Sequence, residues 1–106
     1  MNFEQRLTEG PILGDGAMGT ELLNRGKINV NACLEETNLT SPKMVLETHL
    51  DYIKAGAEII ETNTFGANRF RLRQHGLENE VLEINSKAVE IAKEARRMTG
   101  QHIWIA

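Results

Sequence analysis

Ile12-Leu13-Gly14-Asp15-Gly16-Ala17-Met18-Gly19-Thr20 is the stretch on which the fold turns. Ile12 to Gly14 is a short apolar run that predicts a strand. The glycines behind it fit G-x-G-x-x-G, and a short helix is predicted from about Ala17 to Arg25, with Gly26 ending it. Upstream, Phe3 and Leu7 are spaced for a short amphipathic helix over Asn2–Thr8, broken by Gly10-Pro11. Downstream, the polar stretch Lys27–Asn38 reads as a loop. Ser41-Pro42 is a helix start, with Ser as N-cap and Pro at the first turn. Leu46, His49, Leu50 and Ile53 then share one face, and Gly56 suits the C′ position. Ala57–Thr62 predicts a second strand, and Asn63–Gly66 the turn behind it. Helices are expected over Asn68–His75 and Asn79–Met98, the longer striped by Val81, Ile84, Ala88, Ile91 and Ala95. His102–Ala106 predicts a third strand.

This strand–helix alternation implies parallel strands joined by right-handed helical crossovers. A parallel sheet needs cover on both faces, which three strands and a few helices do not provide. An eight-stranded βα barrel takes about 250 residues, so 106 residues amount to roughly its first third. The last residues form an apolar run with no turn or polar tail behind it, so the chain is expected to be a fragment of something longer.

Composition narrows the function. Twelve Lys+Arg against fifteen Asp+Glu give a formal charge of −3, which offers no basic field for nucleic acid. No apolar run reaches the roughly 18 residues of a membrane span, and no signal peptide is readable. A single cysteine, Cys33, excludes an internal disulfide and a zinc cage built from cysteines of this chain alone. A cytoplasmic setting is expected.

The glycine stretch admits three readings. A dinucleotide site needs an acid at the end of the second strand, about 20 residues on. Glu35 and Glu36 have that spacing but fall in the predicted loop, and Glu61 lies about twice as far. Alternatively, free N–H groups at Ala17, Met18 and Gly19 face a carboxylate and Asp15 holds an ammonium, which together suit an amino acid. The simplest reading is a tight turn with Asp15 as N-cap.

Gly14–Leu22, Glu35–Asn38 and Ala55–Asn68, in that order and spacing, resemble the amino-terminal part of the homocysteine S-methyltransferase family. Leu72-Arg73-Gln74-His75-Gly76-Leu77 is similar to members fused to a methylenetetrahydrofolate reductase module. The resemblance implies the amino-terminal βαβαβ portion of a (β/α)8 TIM barrel, one partial domain over residues 1–106. It implies methyl transfer to the homocysteine thiol, giving methionine, with a donor such as folate-derived methyl, S-methylmethionine or betaine. It also implies a zinc ion on three cysteines that keeps the thiol ionised. Those cysteines lie in later strands, and Cys33 matches none of them. The chain alone is therefore expected to be inert, a part of the homocysteine pocket without metal ligands.

On the same resemblance, Asp15 would take the ammonium, and the amides of Ala17 and Met18 the carboxylate. Thr62 and Asn63, at the end of the second strand, would be further substrate contacts. Strand alternation separates Glu61 from Thr62 without saying which faces inward. His75 is expected to cap a helix end, His49 to pack in the core and His102 to be exposed. A dinucleotide-binding module and a non-catalytic interaction fragment with open strand edges remain the rival readings.

Overall fold

The computed structural model describes all residues, Met1–Ala106. It is an α/β fold around a small parallel sheet. Strands β1 (Ile59–Ile60) and β2 (Trp104–Ile105) pair in register, Ile59 with Trp104 and Ile60 with Ile105. The first predicted strand joins on the other side of β1 as a single parallel bridge, Gly14 to Ile59. Leu13 and Asp15 carry its hydrogen bonds: Glu58 N donates to Leu13 O at 2.8 Å and Asp15 N to Ile59 O at 2.9 Å. All three strands are shorter than the apolar runs suggest. Beyond Ile60, the Glu61 amide bonds the Asp15 carboxylate rather than a neighbouring strand.

The helices fall near their expected places. Helix α1 (Phe3–Leu7) opens with a capping box between Asn2 and Gln5. Arg6 grips Glu58 through both nitrogens of its fork, at 2.9 and 2.7 Å, and so ties α1 to the start of β1. Helix α2 (Gly19–Gly26) begins two residues later than expected, because Met18 is its N-cap and the Ala17 carbonyl is drawn to the Tyr52 hydroxyl at 2.7 Å. Lys27, not Gly26, takes the left-handed conformation that ends it, at φ 50°. Gly26 is needed for closeness instead: a Cβ there would lie 2.8 Å from Ile28.

The polar stretch expected to be all loop contains a 3₁₀ turn, Leu34–Glu36, and a short helix, α3 (Thr37–Thr40). The Asn38 amide is fully buried, donating to Asn63 O at 2.9 Å and Ile84 O at 3.2 Å. Polarity here marks a satisfied buried network, not solvent. Helix α4 (Pro42–Lys54) starts at Ser41-Pro42, although the Ser41 hydroxyl makes no capping bond. Its end is a Schellman turn: Ala57 N donates to Tyr52 O and Gly56 N to Ile53 O, with Gly56 at φ 115°. Helices α5 (Arg69–Arg73) and α6 (Val81–Thr99) follow, α6 after a 3₁₀ turn over Glu78–Glu80.

Helices α4 and α6 pack together against one face of the sheet. Ile53, Ala57, Ile60, Ala92, Ala95 and Ile103 form that core, with Ile105 packed against it. Ala92 and Ala95 are small enough to let α6 approach the strands closely. Each fully buried isoleucine contributes about 1.5–3 kcal/mol. Ile59 and Trp104 share a register and so face the opposite side, where they are only half-buried.

Candidate functional site

The C-terminal ends of the parallel strands open into a cleft of about 490 Å³. Parallel α/β folds bind ligands at this end. Its walls come from the glycine turn, from the Ala32–Glu35 stretch, and from the segment behind β1, Glu61–Gly66. The five candidate positions set by the sequence, Asp15, Ala17, Met18, Thr62 and Asn63, all line this one cleft.

Asp15 follows the Gly14 bridge and is half-buried. Its Oδ2 accepts the Glu61 amide at 2.9 Å. Burial pushes the Asp15 carboxyl above its ordinary range; the Glu61 amide pulls it back down and the Glu61 charge adds to the rise. Behind it, the amides of Gly16, Ala17, Met18 and Gly19 have no acceptor within the chain, and no side chain caps α2. One end of the cleft thus sets a carboxylate beside a row of free N–H donors. Gly16 is held against Tyr52, where a Cβ would stand 3.0 Å from the hydroxyl.

Behind β1, the Thr62 and Thr64 hydroxyls bond each other at 2.8 Å. Thr62 is half-buried and Glu61 exposed, and both line the cleft at the end of the strand ladder, where Thr62 N donates to Ala106 O at 2.9 Å. Asn63 is buried, and its amide nitrogen is engaged by the protein. It donates to Leu34 O at 3.1 Å and Asn38 Oδ1 at 3.0 Å, with Thr37 Oγ1 at 3.3 Å. Its side-chain nitrogen therefore holds the cleft floor, not a ligand. Asn38→Ala should remove the partners of Asn63 O and Ile84 O and cost about 2–4 kcal/mol. Urea unfolding checks this, and a loss below about 0.5 kcal/mol would show that the network is not structural.

Two further side chains reach the cleft. Glu35 accepts the Gly66 amide at 3.2 Å, and a Cβ on Gly66 would meet its Oε1 at 3.0 Å. Arg71 reaches the cleft from α5. In the sequence Glu35 stands out only by its spacing from the glycine turn and within the Glu35–Asn38 block; nothing local marks Arg71. His75, expected to cap a helix end, lies exposed on the cleft wall, and its ring makes no hydrogen bond to the helix. His102 is exposed and meets Trp104 edge-on at 4.7 Å between ring centroids.

The residues present do not fit the implied zinc. No three His, Cys, Asp or Glu side chains converge to hold a metal ion. Cys33 packs with Ala67, Leu72 and Ile84, and burial pushes its thiol up, away from the thiolate a metal requires. No helix is long and apolar enough to cross a membrane.

Comparison with known proteins gives a consistent answer. A family profile described as homocysteine S-methyltransferase matches residues 12–106. A methionine synthase of Mycobacterium tuberculosis is 33% identical over 92 residues, covering 82% of this chain and 8% of that protein. Homocysteine S-methyltransferase 2 of Zea mays is 36% identical over 91 residues, covering 84% and 27%. The crystal structure of the metallated homocysteine methyltransferase MmuM from Escherichia coli superimposes with a TM-score of 0.81 at 30% identity, covering 96% of this chain and 38% of that one. The chain thus spans well under half the length of these relatives. With a profile match over nearly its whole length, the chain belongs to the homocysteine S-methyltransferase family.

Proposed function

We propose that this chain is the amino-terminal βαβαβ portion of a (β/α)8 barrel, one partial domain over residues 1–106, and that its cleft binds homocysteine for methyl transfer to the thiol, giving methionine. The observation that carries this reading is the half-buried Asp15 carboxylate beside the free amides of Ala17 and Met18. Asp15 takes the ammonium, and the amides take the carboxylate at the positive end of α2. Thr62 flanks the bound amino acid, and Asn63 shapes the floor beneath it. Family membership favours this use of the glycine turn over dinucleotide binding. A non-catalytic interaction fragment is less well supported, because the polar groups converge on a concave cleft.

In the completed enzyme a zinc ion would keep the homocysteine thiol ionised as its thiolate. This chain holds no donor set for it. The isolated chain is inert in methyl transfer. The donor is folate-derived methyl or S-methylmethionine, with a fused or separate reductase module where folate serves. The single free cysteine suits a cytoplasmic setting.

Calorimetric titration tests the reading. L-Homocysteine should bind, and 4-mercaptobutyrate, which lacks the amino group, should bind at least tenfold more weakly. Equal binding of the two would remove the ammonium site.

A further inference from the structure

The cleft carries charge that a bound amino acid leaves unused. Asp15, Glu35 and Glu61 line it, and its only basic side chains are Arg71 and His75. They stand one helical turn apart, on α5 and the turn behind it. The Arg71 guanidinium forms no ion pair or hydrogen bond within the chain, whereas Arg6, Arg25 and Arg97 are each paired with a carboxylate. Its backbone is well anchored. The Arg71 amide donates to Asn68 Oδ1 at 2.9 Å, and the adjacent Leu72 is fully buried beside Cys33, Ala67 and Ile84. The root of the side chain is therefore fixed while its charge stays available, which lowers the ordering cost of binding.

We propose that Arg71, flanked by His75, binds a carboxylate of a second ligand, the methyl donor, while the amino acid occupies the strand ends. This rests on the homocysteine reading above. That reading already gives the amino acid's carboxylate to the amides of Ala17 and Met18, and its ammonium to Asp15. A free guanidinium in the same cleft then calls for a second anion. The volume allows it, since clefts of roughly 300–1,000 Å³ hold ligands much larger than one small amino acid. Methyl transfer requires both reactants side by side, and a bidentate arginine positions one of them. An amino-acid sulfonium and a reduced folate both carry the necessary carboxylate.

The test is calorimetry on this chain with L-homocysteine, S-methylmethionine and 5-methyltetrahydrofolate as separate probes. The wild-type chain should bind homocysteine and one of the two donors, and the donor that binds identifies the source of the carboxylate. Arg71→Ala should weaken that donor about tenfold or more, Arg71→Lys should recover part of the loss, and homocysteine should stay within about twofold. The proposal is overturned if neither donor binds, if Arg71→Ala leaves the donor unchanged, or if it weakens homocysteine equally. Failure of the wild-type chain to bind homocysteine overturns the underlying reading as well, and is seen before any variant is compared.

Discussion

Asp15→Asn should raise the dissociation constant for homocysteine well over tenfold while leaving the fold intact. A charge-assisted contact to an ammonium is worth about 1.5–3 kcal/mol, which corresponds to roughly 10- to 150-fold. The substitution removes that charge and little else. An asparagine oxygen still accepts the Glu61 amide that Asp15 Oδ2 now holds at 2.9 Å. Stability should rise slightly. The Asp15 carboxyl sits above its ordinary value of 3.8 because burial penalises its charge. A carboxyl whose folded value is raised disfavours the folded state once pH exceeds both values, so neutralising it at pH 7 relieves a cost. Weakened binding with an unchanged or higher melting temperature is thus the expected signature. Loss of binding with a lower melting temperature would point to a structural role instead.

The second large effect is acid instability centred on His49. This imidazole on α4 is fully buried, and neither Nδ1 nor Nε2 has a hydrogen-bond partner. Burial lowers it from 6.5 to about 4. Above pH 6.5 it is neutral folded and unfolded, and contributes no pH dependence. As pH falls below 6.5 the unfolded chain takes up a proton that the folded chain refuses until about 4. Stability is then lost at up to 1.4 kcal/mol per pH unit, about 3 kcal/mol in all. That is a large share of a domain stability of about 5–15 kcal/mol. Glu58 and Glu94, held below their ordinary 4.5 by Arg6 and Arg97, add their losses only under that value. Asp15 works in the opposite direction, also at the acid end. The interval from pH 6.5 to 4.5 therefore reports on His49. Urea midpoints should fall across it in the wild-type chain and stay flat in His49→Leu. At pH 7.5 the leucine variant should equal or exceed the wild type, because it no longer buries unpaired polar atoms. A slope that persists in His49→Leu would assign the acid lability elsewhere.

Most of the helical frame could be read from local signals. Ser41-Pro42, Gly56 and Gly100 bound α4 and α6 where punctuation rules place them, and the stripe of α6 buries Ile84, Ala88, Ile91 and Ala95 as its period requires. Strand lengths were less legible, because an apolar run such as Ile103–Ile105 begins before the residues that pair, Trp104 and Ile105. The Lys27–Asn38 stretch misled for a physical reason. Asn38 and Thr37 are buried by bonds to Asn63, Ile84 and Leu34, partners distant in sequence or set by a 3₁₀ turn. The cleft followed from two strand ends, at Asp15 and at Thr62. Arg71 escaped notice because only tertiary packing turns α5 toward those ends.

The central claim is that Asp15 recognises the ammonium of the amino acid. It is tested most directly by a binding cycle of L-homocysteine and 4-mercaptobutyrate on the wild-type chain and on Asp15→Asn. The wild type should prefer homocysteine by at least tenfold, and the variant should bind the two within about twofold of each other. A variant that keeps the full preference for homocysteine would contradict the claim.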